Sequence, residues 1–241
     1  MKFEKALYQK SYLWFIAFFL FMLWGFWFTY FTRIADQENY RMHLHGVALI
    51  LWCLMLIIQP LLIRSKKVEL HKASGKLSYF IVPLLLYSTT DLLLYRLHGK
   101  EVLTDSDNFF VAMVMNALLV FVILYALAIF HRRKGTLHAR YMLSTVFPIL
   151  TPITDRIISI HFPGMLNGLP EIDGIPIVAI YGFALADVLL ILLCIWDWRA
   201  HRRWNVFPLV LLLLSAYHFS VLNFYKYPFW VDFCKWFVGT R

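Results

Sequence analysis

The sequence predicts an all-α, polytopic integral membrane protein with seven transmembrane helices, and three observations support this class. Hydrophobic residues make up 61% of the 241 residues, and the mean hydropathy is +0.66. A soluble domain has an apolar share of about half. Charged residues account for only 15% of the chain and are concentrated between long apolar stretches. Each stretch approaches the roughly 20 residues that a helix needs to cross the hydrocarbon core.

The apolar runs are predicted to form a single transmembrane bundle over residues 1–241. The seven runs cover residues 11–31, 43–63, 77–97, 109–130, 141–160, 176–196 and 206–225. The first run is too long and too aromatic for the apolar region of a signal peptide, so it is interpreted as a retained helix. The connections are short, and no separate soluble domain is expected. The aromatic segment after the last run is predicted to lie in the outer membrane interface.

The distribution of Lys and Arg predicts the orientation, because cytoplasmic loops carry an excess of basic residues. One set of alternate connections, together with the N-terminal ten residues, carries 15 basic residues, whereas the other side carries 7. The N-terminus is therefore predicted inside and the C-terminus outside, in a bacterial cytoplasmic (inner) membrane. The net charge of +9 is explained by this signal and by attraction of the inner loops to anionic lipid headgroups. No nucleic-acid partner is expected.

Ionisable side chains inside spanning helices are costly and are candidates for functional sites. Because consecutive helices alternate in direction, five helices are predicted to place polar groups in the outer half of the bundle. These groups are His43, His45, Asp91, Asn116, Asp155, Arg156 and His218. On the second run, His45, Trp52 and Gln59 are seven residues apart and form one stripe, which favours His45 over His43 as the inward-facing residue.

The fifth predicted helix carries two further signals. Thr151 and Asp155 are four residues apart and therefore share one face. Pro148 and Pro152 are expected to bend this helix, because proline cannot donate the helical hydrogen bond. Interrupted helices are typical of substrate sites in transporters.

The His and Asp residues of the outer layer favour a metal or haem site that serves redox chemistry. Imidazole and carboxylate suit zinc or iron, and two His from separate helices can ligate a b-type haem. His45 and His218 are the predicted cofactor ligands, and Asp91 and Asp155 are the predicted catalytic or proton-transferring groups. The predicted metal ligands are His43, His45, His218 and Asp155. An equally weighted alternative is a buried hydrogen-bond network without a cofactor.

Three other polar residues are left with open interpretations. Asp187 has no evident basic partner, and it is interpreted either as a proton-relay carboxyl or as a protonated side chain. His71 and His138 each follow a leucine and precede basic residues near the start of a predicted helix. They indicate either an inner metal or docking site or, as favoured here, histidines beside lipid headgroups.

Several motifs carry a resemblance to a known group. They are the H-x-H-G run at His43, Gln59-Pro60, Leu70-His71, His138-Ala139-Arg140-Tyr141-Met142 and Asp155-Arg156. These residues resemble a group of bacterial multi-pass membrane proteins of uncharacterised function, over about half of the chain. The resemblance implies a heptahelical fold and no particular activity.

Two better-understood families are similar in architecture. Cytochrome b561-like proteins also place histidines near both faces of a helical bundle, although the intervals between His45, His71 and His138 are uneven here. Zinc hydrolases related to adiponectin receptors share the inside N-terminus and the His and Asp ligands. Their H-x-x-x-H motif is incomplete here, since Leu222 stands four residues after His218.

Two alternatives to a redox protein therefore stay open. One is a metal-dependent lipid hydrolase, in which a carboxylate activates a metal-bound water. The other is a transporter or a non-catalytic subunit that has a larger membrane complex as its partner. In that case the polar layer forms a pathway or holds the helices together.

Overall fold

The structure is a computed structural model, and it describes residues 10–239. Within these residues the chain forms mainly α-helices, with two 3₁₀ segments at Phe31–Arg33 and Pro163–Leu166. The helices are α1 (Ser11–Phe26), α2 (Tyr40–Arg64), α3 (Val68–Gly75), α4 (Ser78–Leu97), α5 (Asp105–Phe130), α6 (Gly135–Ser144), α7 (Phe147–His161), α8 (Ala179–His201), α9 (Val206–Phe224) and α10 (Pro228–Val238). The predicted inner residues Lys2 and Lys5 and the predicted outer residue Arg241 lie outside the described range.

The all-α class and the membrane-length helices are confirmed. Within residues 10–239, six helical stretches are long and apolar enough to cross a membrane. Two of them combine consecutive short helices, namely α3 with α4 and α6 with α7. The predicted span over residues 11–31 is shorter in the structure, because α1 has 16 residues and extends only about 24 Å. The seventh span and the orientation stay predictions.

The helix boundaries differ from the predicted ones where the sequence is polar. Helix α3 lies in a basic segment that the hydropathy pattern assigned to a loop. Helix α6 likewise begins before the apolar run at residue 141. The predicted interruption of the fifth helix is observed at Thr145 and Val146, directly before the proline-containing start of α7. Hydropathy is therefore a good guide to the spans and a poor guide to the amphipathic helices beside them.

The chain divides into two compact units, residues 1–92 and 93–241. In the first unit, α1 packs against α2, and α2 against α3. In the second unit, α7 packs against α8, α8 against α9, α9 against α5, and α5 against α6. A two-stranded hairpin, β1 (Glu171–Ile172) with β2 (Ile175–Pro176), connects α7 to α8. Its turn residues Asp173 and Gly174 have φ of 53° and 74°, as a tight hairpin turn requires.

Helix α10 gives the second unit a small additional core. Its Cys234 is fully buried against Leu93, Leu97 and Val111. Trp230 donates its indole N–H to the carbonyl of Asn108 at 3.1 Å. These contacts fix the aromatic C-terminal segment against α5 and the end of α4.

The Cys234 thiol is expected to be unreactive in the folded protein. Burial raises the pKa of this thiol to about 12, so at pH 8 the reactive thiolate is scarce. Maleimide labelling followed by peptide mass mapping is expected to show no modification of Cys234 before denaturation and full modification afterwards. Labelling of Cys234 in the folded protein at the rate of a free thiol would contradict this packing.

Candidate functional site

His43 and Tyr30 form a local contact in the first unit. The Tyr30 Oη lies 3.1 Å from His43 Nδ1, and His43 Nε2 lies 2.7 Å from the carbonyl oxygen of Gln37. The imidazole therefore donates from Nε2 to the carbonyl and accepts the tyrosine hydroxyl at Nδ1. Since both ring nitrogens are engaged, this arrangement gives no support to the predicted role of His43 as a metal ligand.

His45 and Asp91, both predicted site residues, are held by contacts between α2 and α4. The His45 Nδ1 lies 3.2 Å from the hydroxyl of Thr89, which itself donates to the Leu85 carbonyl at 2.7 Å. Because the Thr89 hydroxyl proton is already donated to the Leu85 carbonyl, the hydroxyl oxygen accepts from the His45 Nδ1–H. Asp91 forms an ion pair with Arg41 at 3.1 Å. Sequence reasoning placed Arg41 in a loop and missed this pair, because the two residues are fifty positions apart.

The second unit pairs the two residues Asp187 and His218. The His218 Nδ1 lies 3.1 Å from Asp187 Oδ2, and the imidazole side chain is 7% exposed. The ring of Phe183 stacks on the imidazole, with centroids 4.1 Å apart and an interplanar angle of 21°. Sequence analysis found no basic partner for Asp187. Its partner is His218, on the neighbouring helix α9.

Close helix packing also brings α7 next to α8 and α9, which carry the Asp187–His218 pair. A Cβ added at Gly182 of α8 would lie 2.6 Å from the Thr151 Cα, so only glycine fits at this contact. Tyr217, which precedes His218 on α9, reaches Thr151 and faces the charge of Asp155. The Tyr217 ring also packs edge-on against Phe183, with centroids 5.4 Å apart. Sequence analysis did not identify Tyr217, although its position beside His218 was a usable signal.

The resulting group of side chains has an unusual number of buried polar atoms without partners. Within residues 10–239, five atoms of this group make no hydrogen bond of normal geometry, although the Tyr217 and Thr151 hydroxyl groups face each other. The five atoms are Thr151 Oγ1, Asp155 Oδ1, Asp187 Oδ1, Tyr217 Oη and His218 Nε2. We refer to these five residues as the orphan cluster. Buried polar atoms usually find a partner, so a concentration of exceptions on three adjacent helices requires an explanation.

Two further residues of the predicted polar layer, Arg156 and Asn116, lie on or against the helices that carry the orphan cluster. Arg156 donates to the Pro152 carbonyl at 2.8 Å and interacts electrostatically with Asp155. Asn116 of α5 donates to the Ser220 hydroxyl at 3.0 Å. Asn116 therefore links α5 to α9.

The region around the other end of α9 holds an ion pair that sequence reasoning missed. Arg140 of α6 donates to both oxygens of Asp197 at 2.7 Å, and each side chain is 1% exposed. Arg140 also donates to Asn205 Oδ1 at 3.1 Å, and that same oxygen caps the first N–H of α9. The sequence carried one signal for this ion pair. Asp197 is an isolated carboxylate next to the apolar run 176–196, and such a residue needs a polar partner.

The predicted inner histidines lie in the two helices that the hydropathy pattern overlooked. His138 is in α6, with its Nδ1 at 2.9 Å from the Ala128 carbonyl oxygen. His71 is in α3 and half-buried. These positions favour a role for His138 in fixing α6 to the end of α5.

The described residues contain no preformed metal centre. Among residues 10–239, no group of three or more His, Cys, Asp or Glu side chains is placed to hold a metal ion. The zinc-hydrolase alternative, which requires such a group, stays a sequence-based prediction.

The fold and the orphan cluster together define the class of protein. It is an all-helical, polytopic membrane protein in which ionisable side chains from three adjacent membrane-length helices meet. Comparisons of the chain with family models, curated proteins and solved structures give no match.

Proposed function

We propose that the protein moves protons within the membrane, as a proton-conducting or proton-coupled transport protein, through the orphan cluster. The observation that carries this proposal is the set of five buried polar atoms on α7, α8 and α9 that make no hydrogen bond of normal geometry. In a membrane-spanning segment there is little bulk water to satisfy such atoms. Mobile water or a passing proton supplies the missing partner.

The Asp187–His218 pair has the chemistry that a proton relay needs. With Asp187 ionised, neutral His218 donates its Nδ1–H to Oδ2 over 3.1 Å, and Nε2 carries a lone pair. A proton that binds at Nε2 produces an imidazolium ion. The Nδ1 proton then passes to Asp187, which leaves a neutral imidazole with its proton on Nε2 and a neutral carboxyl group.

The remaining members of the cluster extend this route towards α7. Tyr217 and Thr151 carry hydroxyl groups that both donate and accept, and Asp155 offers a second carboxylate. Chains of Asp, Glu and His side chains are the usual proton relays of membrane pumps and transporters. We assign Asp155 and Asp187 as the proton-carrying carboxylates, with His218 as the group that passes a proton to Asp187.

Replacement of Asp187 by asparagine is expected to abolish most proton movement. Asparagine keeps an oxygen that accepts the His218 Nδ1–H but cannot hold a proton. In proteoliposomes with an internal pH dye and an imposed potassium diffusion potential, the initial rate of D187N is expected to fall about tenfold or more. The matched control is Asp232→Asn, the same chemical change at an exposed residue of α10.

Two outcomes would overturn the proposal. The first is a wild-type rate equal to that of empty liposomes under both polarities of the potential. The second is a folded D187N protein, judged by its thermal unfolding midpoint, that moves protons at the wild-type rate.

A second candidate function is the redox metal or haem protein that the histidines predict. It is supported by the orientation of His218, since ligating histidines usually donate their other ring N–H to a carboxylate. His45 has a comparable Nδ1 contact with Thr89. The visible spectrum and elemental analysis of the purified protein distinguish the candidates. A Soret band or stoichiometric iron or zinc that is lost in His218→Ala would establish the cofactor and displace the proton relay.

The topology belongs to the same proposal. We place the N-terminus in the bacterial cytoplasm, residues 11–31 across the membrane as a seventh span, and the C-terminus outside. The excess of basic residues in alternate loops supports this orientation. Reporter fusions after residues 66, 134 and 203 test it, because all three are expected to report a cytoplasmic location.

A further inference from the structure

The turn between α5 and α6 presents two unpaired arginines beside exposed apolar side chains. An open surface depression of about 280 Å³ is lined by Ile129, Phe130, Arg132 and Arg133. Both arginines are exposed, and within residues 10–239 neither guanidinium group has a hydrogen bond or ion pair. The Phe130 ring is 81% exposed. We refer to these four residues as the arginine corner.

The local sequence supplies no acidic partner for these charges. Between Asp107 and Asp155 the chain contains no Asp or Glu. Arg140, the nearest other arginine, is instead buried against Asp197. Within residues 10–239, the arginine corner is therefore a concentration of positive charge without a counterion.

The backbone holds the two arginines in a compact turn. The Arg132 N–H donates to the Ile129 carbonyl at 3.1 Å, and the Lys134 N–H to the His131 carbonyl at 2.8 Å. His131 Nδ1 lies 2.9 Å from the Leu127 carbonyl oxygen, and its ring packs on Tyr141 with centroids 5.5 Å apart. The backbone from which the two arginine side chains project is therefore held in a defined turn.

We propose that the arginine corner binds the headgroup of an anionic phospholipid. The planar guanidinium group matches the oxygens of a phosphate and forms paired hydrogen bonds with it. The corner lies at the end of α5, a membrane-length helix, where a phosphate is at the level of the headgroups. The exposed Phe130 and the half-buried Ile129 provide an apolar surface for the acyl chain directly beside the charges.

The choice of a lipid over a free anion depends on this combination. A site for free phosphate needs only the charges, whereas the proposed site also uses the last apolar turn of α5. Soluble phosphate and a phospholipid with the same headgroup therefore separate the two ligands.

Native mass spectrometry of the full chain in detergent, titrated with phosphatidylglycerol, tests the site. The double variant R132Q/R133Q is expected to weaken binding about tenfold or more, because both guanidinium groups lose their charge-assisted hydrogen bonds to the phosphate. The matched control K66Q/K67Q removes the same charge from two exposed lysines of another loop. It is expected to bind within about twofold of wild type, and phosphatidylcholine is expected to bind weakly to all variants.

One further variant and a competition experiment distinguish binding of the whole phospholipid from binding of a phosphate group alone. Phe130→Ser is expected to weaken phosphatidylglycerol binding, and millimolar inorganic phosphate is expected not to displace the lipid from the wild-type protein. An equal loss of lipid binding in R132Q/R133Q and K66Q/K67Q would show diffuse electrostatic attraction and overturn the proposed site. Unchanged binding in R132Q/R133Q, or full displacement by inorganic phosphate, would also overturn it.

Discussion

Replacement of Arg140 by methionine is expected to lower the free energy of unfolding by about 3–5 kcal/mol. Arg140 and Asp197 are each 1% exposed, so the substitution leaves a buried carboxylate whose remaining basic neighbour is His201, with its Nδ1 3.4 Å from Asp197 Oδ1. The two donated hydrogen bonds at 2.7 Å are lost, and Asn205 loses the bond that links it to α6. The measurement is unfolding in detergent micelles with increasing SDS, followed by circular dichroism.

The double variant R140M/D197L identifies the cause of this loss. Replacing both members of a buried ion pair by apolar residues of similar size is often neutral, whereas removing one member is costly. R140M/D197L is therefore expected to regain most of the stability that R140M loses. The exposed Arg132→Met is the matched control and is expected to change stability by no more than about 0.5 kcal/mol. Equal losses in R140M and R132M would contradict the burial of the pair.

Replacement of Gly182 by alanine is expected to destabilise the protein by about 1–3 kcal/mol. Intrinsic helix propensity alone would favour alanine by roughly 1 kcal/mol in the interior of α8. However, the new Cβ would lie 2.6 Å from the Thr151 Cα, a backbone atom that cannot move without shifting α7. The helices must separate, so proton flux is expected to fall with stability if the orphan cluster is the relay.

Gly164→Ala provides the control for this change. Gly164 has no atom within 4 Å of an added Cβ, and its φ is not positive. G164A is expected to leave both the unfolding midpoint and the proton flux within error of wild type. A G182A protein that is as stable as wild type would show that α7 and α8 do not pack as closely as described.

The fold class was predictable because it depends on local composition. Apolar runs, loop charges and the two prolines of α7 are each visible within about twenty consecutive residues. The amphipathic helices α3, α6 and α10 were not recognised as helices, because hydropathy alone does not separate a polar helix from a loop. Periodicity is a stronger guide there than mean hydropathy.

The partners within the candidate site were much less predictable. Asp187 and His218 are 31 residues apart, and Arg140 and Asp197 are 57 apart. Such pairs depend on which helices are neighbours and on how each is rotated. A spacing rule within one helix relates Thr151 to Asp155, but it carries no information about Tyr217. The sequence indicated the residue types of the site, and helix packing determined the pairs.

The break between α6 and α7 divides one membrane-length stretch into two helices, of which α6 is held by a buried ion pair. Pro148 and Pro152 lack the N–H groups that would tie α7 back to the Ser144 and Pro148 carbonyls. The Arg140–Asp197 pair fixes α6, whereas α7, which carries Asp155, is free of that restraint. Substitutions at the ion pair in α6 are therefore expected to act on stability, and substitutions in α7 on the surroundings of Asp155.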